Sequence, residues 1–401
     1  MKARFFKNEQ FDFETRLLLG GAYYGLGDVG EIHATCERIK DGDYEGWFRE
    51  WKATGDRVLA IAEACEAAGR SVSARRAYLR ASAYLFSATG TLEGTDEPDR
   101  FLDVWRAHRR AWERYCALSD PPVETIAIPY EGKELVGFLF RPAEAEGPLP
   151  TLILNNGSDG PVHAMWAQGA AAAVERGYLA VTFDGPGQGQ ALFEQRIPFR
   201  PDWEAVITPV VDHLLSRYDV DPDRIVLQGV SQAGYWVPRA VAYEKRIAAA
   251  VADPGVMDVS TSWLQHLPKS MVKMLDEGDK RDAFNRDLKI GLLFTGKVAR
   301  RGLAFRIRPY GTNDPFEVFR AVRAYNLRDV VGKIECPLLV TDPEDEQFWP
   351  GQSQELYDAL SGPKEIVRFT AAEGANWHCE PLALGLRDQR IFDWLDETLG
   401  S

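Results

Sequence analysis

The residue in this chain best placed for covalent chemistry is Ser231, within RIVLQGVSQAGYWVPR, Arg224 to Arg239. Arg224 to Gln228 has the apolar, β-branched character of a buried strand, Gly229 permits a tight turn, and the residues beyond read as a helix. A serine at such a break has its Oγ forced out of the sheet beside a helix N-terminus, where it can attack a carbonyl carbon. The spacing is Gly229-x-Ser231-x-Ala233-Gly234, so a small residue stands where a glycine is usual and the glycine follows one place later. A serine in a plain tight turn would read the same way, so partners must decide.

A nucleophilic serine needs a base, and on an elbow of this kind the acid and then the histidine follow it in the chain. Of six histidines (His33, His108, His163, His213, His266, His378), only His266 and His378 come after Ser231, and His266 precedes the late strands. His378 remains, in AAEGANWHCEP between the last strand and the last helix. The acid is expected after the strand Pro337 to Thr341, in TDPEDEQFWPGQ. Laying the frame G-x-x-D-x-x-x-P on Pro343 and Pro350 puts Glu346 on the acidic position and Asp345 one residue early. A glutamate can stabilise an imidazolium as an aspartate does. Asp342, Glu344, Asp345 and Glu346 together also suit a solvated turn.

Acyl transfer further needs donors for an oxyanion. The backbone N–H of Gln232 is one, and Gly157 or Ser158 in NNGSDG, directly after the apolar strand TLIL, is the second. A simple turn is the plainer reading of that loop. The glycine-rich Asp184 to Gly189, DGPGQG, lacks a G-K-[ST] ending, and Pro186 removes an N–H, so it is read as the turn after the fourth strand rather than a phosphate cradle. No metal-ligand or dinucleotide motif occurs, so no cofactor and no metal is expected.

These residues need a scaffold that alternates strands and helices. Strands are expected at Glu124 to Ile128, Leu135 to Arg141, Thr151 to Asn155, Tyr178 to Phe183, Arg224 to Gln228, Ile247 to Ala252, Pro337 to Thr341 and Glu365 to Phe369. Helical patterns fall between most of them: Ala164 to Arg176, Trp203 to Tyr218, Ser231 to Tyr243, Gln352 to Ser361 and Pro381 to Leu399. That alternation predicts an α/β fold with a mostly parallel, doubly wound sheet over residues 119–401, interrupted after the sixth strand by a helical, charge-rich insertion at about 258–332. Residues 1–118 read as a helical domain, with a 3.6-residue apolar period over Asp43 to Ala68 and Ser71 to Phe86, and a third helix over Glu97 to Cys116. A loop, TLEGTDEPD, leads into that third helix, with Pro98 suited to a first turn. Trp47, Trp51 and Tyr78 in these helices, and Tyr235 after Ser231, are candidates for a substrate wall; core packing is the alternative for each.

Composition limits the rest. The 401 residues, 45% apolar, provide for a sizeable core, and a net charge of −13 argues against nucleic acid. Five cysteines without a C-x-x-C pair indicate neither a disulfide framework nor a zinc site. The charged N-terminus and the lack of any run of about 18 apolar residues point to a cytosolic chain that neither enters nor crosses a membrane.

Taken together, DYEGWFREW, GRSVSARRAYLRASAY, NNGSDG, DGPGQGQ, GVSQAGYWVPRA, EDEQFWPGQ and EGANWHCEP resemble the α/β-hydrolases typified by dihydroxypseudooxynicotine hydrolase, and are similar to the fungal pigment hydrolases that shorten polyketide chains. The resemblance implies a helical domain over the site, a homodimer, Ser231 as nucleophile and His378 as base. It also implies carbon-carbon cleavage beside a carbonyl on a small, aromatic or polyketide-like substrate. Asp159 falls where dihydroxypseudooxynicotine hydrolase has a glutamate that assists that cleavage. Two positions depart from the pattern, the shorter Asp159 and the glutamate in the acid position. Ester or amide hydrolysis, peptidase activity, acyl transfer and a partner-binding pseudoenzyme are the rival expectations. For Asp159, burial beside other carboxylates would keep it partly protonated for proton delivery; capping the helix near His163 or ordering its own turn is the alternative.

Overall fold

The computed structural model describes residues 4–400, apart from 93, 94, 96 and 145. Five helices come first: α1 (Glu9–Gly21), α2 (Val29–Cys36), α3 (Tyr44–Ala67), α4 (Ser71–Thr89) and α5 (Phe101–Ala117). Side-chain caps fix three of the starts. Asn8 accepts the N–H of Phe11, Asp28 those of Gly30 and Glu31, and Asp43 that of Gly46. Gly69, at φ 70°, lets the chain leave α3 through the left-handed region and start α4 directly. Part of the loop expected before α5 lies outside the described residues; Pro98–Arg100 form a short 3₁₀ turn that runs into α5.

Eight strands follow: β1 (Glu124–Tyr130), β2 (Lys133–Phe140), β3 (Leu149–Asn155), β4 (Leu179–Phe183), β5 (Val220–Val230), β6 (Ala249–Asp253), β7 (Leu338–Pro343) and β8 (Lys364–Phe369). They form one sheet in the order β1-β2-β4-β3-β5-β6-β7-β8. β1 and β2, and β2 and β4, pair antiparallel; every later pair is parallel. β4 and β6 are buried at every position because helices cover both faces, which is why they read as unbroken apolar runs. Each parallel crossover carries a helix, and the β5–β6 crossover is the helix Ala233–Val241 after Ser231.

Two cores result. One lies between the sheet and helices Glu204–Leu215 and Ala233–Val241, with Trp203 stacked on Trp236 at 4.2 Å between centroids. The other runs from the first five helices onto the opposite sheet face, where Trp112 meets Phe138 at 5.6 Å. The helical region is thus built onto the sheet. Arg109 of α5 also forms a buried ion pair with Asp184 after β4, at 2.6 Å, and α1 lies so close to the last loop that a β-carbon on Gly20 would overlap the Pro381 carbonyl. Between β6 and β7 stand helices Thr261–Leu264, Lys269–Met274, Arg281–Ile307 and Pro315–Ala321, closed at the base by a bridge from Asp258 to Asn326.

Trp47 and Trp51 have no exposed surface inside the helical core, Trp47 donating its Nε1–H to the Ser87 carbonyl. Tyr78 is buried with its hydroxyl on Glu66, and Tyr235 is fully buried with its hydroxyl on the Pro201 carbonyl. These four rings pack interiors instead of walling a cleft; Trp47, Tyr78 and Tyr235 satisfy their polar tips there, while Trp51 Nε1 meets no acceptor among the described residues. Among the described residues no helix is long and apolar enough to cross a membrane.

Candidate active site

Ser231 is held at φ 61°, in the left-handed region, which costs a non-glycine residue roughly 1–2 kcal/mol. The helix therefore begins at Ala233 and not at the serine itself. The neighbouring small residues permit the turn. A β-carbon on Gly229 would collide with the Ala233 carbonyl, and one on Gly234 with the Pro254 carbonyl. This accounts for the shifted motif: at position 233 a methyl group fits, whereas position 234 must be bare. The Ser231 N–H donates to the Asp253 carbonyl at 2.6 Å, tying the elbow to the end of β6.

Ser231 Oγ lies 2.9 Å from His378 Nε2, and His378 Nδ1 lies 2.8 Å from Glu346 Oε2. A carboxylate can only accept, so Nδ1 carries the proton and Nε2 is left to accept from the serine hydroxyl. Glu346 Oε1 accepts the N–H groups of Phe348 at 2.8 Å and Trp349 at 3.1 Å. Burial works against its charge, but the His378 imidazole and these two N–H groups outweigh it and hold its pKa below the usual range. Asp345 points elsewhere: it is exposed and takes a hydrogen bond from Asn376 Nδ2 at 2.5 Å. The line from serine through imidazole to carboxylate runs through Glu346.

The loop after β3 comes directly against this line. A β-carbon on Gly157 would stand 2.8 Å from Ser231 Cβ and 3.3 Å from Oγ. The Gly157 N–H, however, donates to Asn156 Oδ1 at 2.8 Å, whereas the next N–H along the loop, that of Ser158, meets no acceptor among the described residues. On the other side the Gln232 N–H precedes the first helical turn and has no intrahelical acceptor. Gln188, in the glycine-rich turn after β4, donates Nε2 to the carbonyls of Asn156 and Gly157 at 2.7 and 2.6 Å. That turn thus positions the loop against Ser231, a role its composition did not announce. Asp159 departs from expectation. It is exposed, and among the described residues its hydrogen bond is from the Ser158 hydroxyl at 3.2 Å, with no other carboxylate bonded to it.

Around His378 stand Phe348 at 4.6 Å between centroids, Trp349 at 5.8 Å and Phe13 at 6.5 Å. Phe13 belongs to α1, and Arg16 one turn on lies over Trp377 at 4.5 Å, so the helical region covers the histidine loop. Below the site is a pair of carboxyl groups that sequence reasoning passed over. Glu380 is fully buried, and neither of its oxygens, nor Asp253 Oδ2, meets a donor among the described residues. Burial first, and then the nearby charge of the Asp253 carboxylate, push the Glu380 pKa far up. Cys379 and Glu380 sit at φ 57° and 45°, a strained turn that the buried pair anchors under His378. Nothing in the local sequence HCEP marks this; only the meeting of β6 with the last loop does.

No family model matches the chain. Hydrolase LUC6 of a Fusarium species is 33% identical over 98% of each chain. The α/β hydrolase psoB of Aspergillus fumigatus is 32% identical over 99% of this chain and 95% of its own. The 20-hydroxy-prefusarin hydrolase FUS2 of Gibberella moniliformis is 30% identical over 98% and 97%. Among solved structures, 2,6-dihydroxy-pseudo-oxynicotine hydrolase superposes with a TM-score of 0.71 at 20% identity, covering 96% of this chain and 95% of that one. AbyA5 does so with 0.61 at 17% identity over 98% of each. With a strand-elbow-helix at Ser231, an eight-stranded sheet in this order and relatives aligned from end to end, the chain belongs to the α/β-hydrolase family and is a hydrolase.

Proposed function

We propose that this hydrolase works through an acyl-enzyme on Ser231 and that its substrate is a small carbonyl compound of β-diketone, aromatic ketone or polyketide type, cleaved at a carbon-carbon bond. The observation that carries the reading is the unbroken hydrogen-bonded line Ser231–His378–Glu346, with Gly157 packed against the serine. His378 Nε2 takes the hydroxyl proton as Oγ attacks the carbonyl carbon, and the N–H groups of Gln232 and Ser158 receive the oxyanion. When the oxyanion collapses, the carbon-carbon bond breaks and its electron pair leaves as an enolate, which the His378 imidazolium protonates. Water activated by the same imidazole then frees the acyl group. The steps consume only water. Kinship with fungal hydrolases, one of them named for 20-hydroxy-prefusarin, supports a polyketide-type substrate.

A second reading, plain ester hydrolysis, draws on the surroundings of Asp159. Asp159 is exposed at the rim of its loop, away from the buried line of Ser231, His378 and Glu346, which does not favour delivery of a proton to a carbon leaving group. Labelling with a fluorophosphonate followed by peptide mapping tests the common element of both readings. The label should fall on Ser231 in the wild type and disappear in Ser231→Ala; a wild-type protein that turns substrate over unlabelled would refute it.

A further inference from the structure

The Ser158 N–H belongs to the same peptide unit as the Gly157 carbonyl, and in a planar trans peptide these two groups point in opposite directions. Among the described residues the donor to that carbonyl is Gln188 Nε2 at 2.6 Å, which also holds the Asn156 carbonyl at 2.7 Å. Whatever fixes the Gln188 amide therefore fixes where the Ser158 N–H points. Gly157 in turn packs on Ser231, so a rotation of this peptide unit is felt beside the nucleophile.

The Gln188 amide is itself held. The residue is buried, and its Oε1 accepts the Gly185 N–H at 3.0 Å. The chain just after it rests on one carboxylate: a β-carbon on Gly189 would overlap the Asp184 side chain, and the Gln190 N–H donates to Asp184 Oδ2 at 3.1 Å. That same oxygen takes Arg109 Nη1 at 2.6 Å, while Arg109 Nη2 reaches Gln190 Oε1 at 3.2 Å. Arg109 stands on α5 in the helical region, its guanidinium over the Phe138 ring of β2 at 4.9 Å. An unbroken run of contacts thus leads from the helical region through Asp184 and Gln188 to the peptide beside Ser231. Its first joint is stiff, because parting a buried guanidinium from its carboxylate leaves two charges unpaired out of water.

Resting on the reading of Ser231 as nucleophile, we infer that Gln188 is the positioning residue of the oxyanion hole, aiming the Ser158 N–H, and that Arg109 braces it through Asp184. The helical region then does more than cover the histidine loop; it sets the direction of one of the two donors. The effect falls on attack and not on substrate binding, since a donor aimed at the oxyanion gains strength only as the charge develops.

The test compares phenethyl trifluoromethyl ketone with the corresponding secondary alcohol as inhibitors. Ser231 Oγ can add to the ketone: the carbon–oxygen bond forms, the carbonyl electron pair moves onto oxygen as the oxyanion, and the hydroxyl proton passes to His378 Nε2. The alcohol has no carbonyl and binds without that step. Full-length Gln188→Met keeps the bulk of the side chain and lacks the donor. Its kcat should fall about 10- to 100-fold, short of the loss from removing an oxyanion donor outright. KM should stay within about twofold, as for an interaction made only in the transition state. The inhibition constant of the ketone should rise by the same factor as kcat falls, and that of the alcohol should not move. Arg109→Gln should repeat this pattern and Arg109→Lys recover part of it. The double variant of Arg109→Gln and Gln188→Met should lose less than the product of the single losses, because the two residues act in series.

A kcat in Gln188→Met within about twofold of wild type, or equal losses for ketone and alcohol, overturns the positioning role. Losses that multiply in the double variant overturn the brace. Melting curves establish that each variant is folded. Where Arg109→Gln is not, Arg109→Lys decides: a lysine cannot bond Asp184 and Gln190 as a fork, so part of the loss should remain, and a ketone constant equal to the wild type's overturns the brace. Failure of the serine reading looks different, for it would leave the wild type binding ketone and alcohol alike. A wild type that prefers the ketone, with Gln188→Met preferring it as strongly, keeps the serine and rejects Gln188.

Discussion

Gly157 faces Ser231 so closely that a β-carbon on the glycine would stand 2.8 Å from the β-carbon of the serine. It is not among the positive-φ positions, so the constraint is the approach of Ser231 and of the Val230 carbonyl, 3.0 Å from that β-carbon, and not the glycine's own φ. Gly157→Ala should therefore fold and yet push the oxyanion loop away from the nucleophile. A loss in kcat of about 100-fold is expected, the scale of one oxyanion donor, with thermal stability lowered only slightly. Steady-state kinetics and a melting curve check both. Activity within twofold of wild type would mean the loop does not border the reacting atoms.

Glu346 and Asp345 are adjacent in sequence, but only the first touches His378. Glu346→Gln removes the charge that stabilises the imidazolium and should lower kcat by two or more orders of magnitude at neutral pH. Asp345→Asn keeps a partner for Asn376 and should cost less than about fivefold. Reversed magnitudes would transfer the acid's role to Asp345.

The buried pair of Glu380 and Asp253 makes stability depend on pH. A carboxyl whose pKa rises on folding holds its proton more tightly in the native state than in the unfolded one. Its contribution is complete below about pH 4.5 and is lost as the pH climbs toward the folded value. Glu380→Gln retains a donor toward Asp253 and cannot ionise. Between pH 5 and pH 8 it should lose at least about 1 kcal/mol less stability than the wild type, read by urea denaturation at the two pH values. Identical pH dependence in both proteins would contradict a raised pKa at Glu380.

In the proposed mechanism His378, and not Asp159, protonates the leaving group. Asp159 is exposed, and its one hydrogen bond among the described residues comes from the Ser158 hydroxyl. Asp159→Asn should alter turnover of a β-diketone and of a p-nitrophenyl ester by similar factors, within about threefold of each other. A loss confined to the diketone, whose carbon leaving group alone needs the proton, would restore the aspartate to that role.

Much of this arrangement is written in local sequence. The inner strands are recognisable because burial on both faces makes segments such as TLIL and AAVAD nearly continuously apolar, and the glycines around Ser231 mark the elbow. Chain order then isolates His378, and two prolines frame Glu346. The remainder depends on meetings of distant segments. Gln188 reaches Asn156 and Gly157 across about thirty residues, Glu380 finds Asp253 across more than a hundred, and Phe13 covers His378 from the far end of the chain. Apolar aromatics were equally open to misreading. Trp47 and Tyr235 have the same composition as a cleft wall, and only their burial places them inside. The helix after β3 is another case: its alanines predict a plain helix, but the left-handed Gly169, pressed against Leu154 and Gln228, breaks it into a wider turn.

The central claim, a covalent intermediate on Ser231, is tested most directly by trapping it. Rapid acid quench of the enzyme mixed with a β-diketone, followed by intact-protein and peptide mass spectrometry, should show the mass of one acyl group added to the peptide that contains Ser231. His378→Ala should abolish the adduct along with turnover, and Ser231→Ala should show none. Turnover that proceeds in Ser231→Ala, or an acyl group found on any other residue of the wild-type enzyme, would contradict the account.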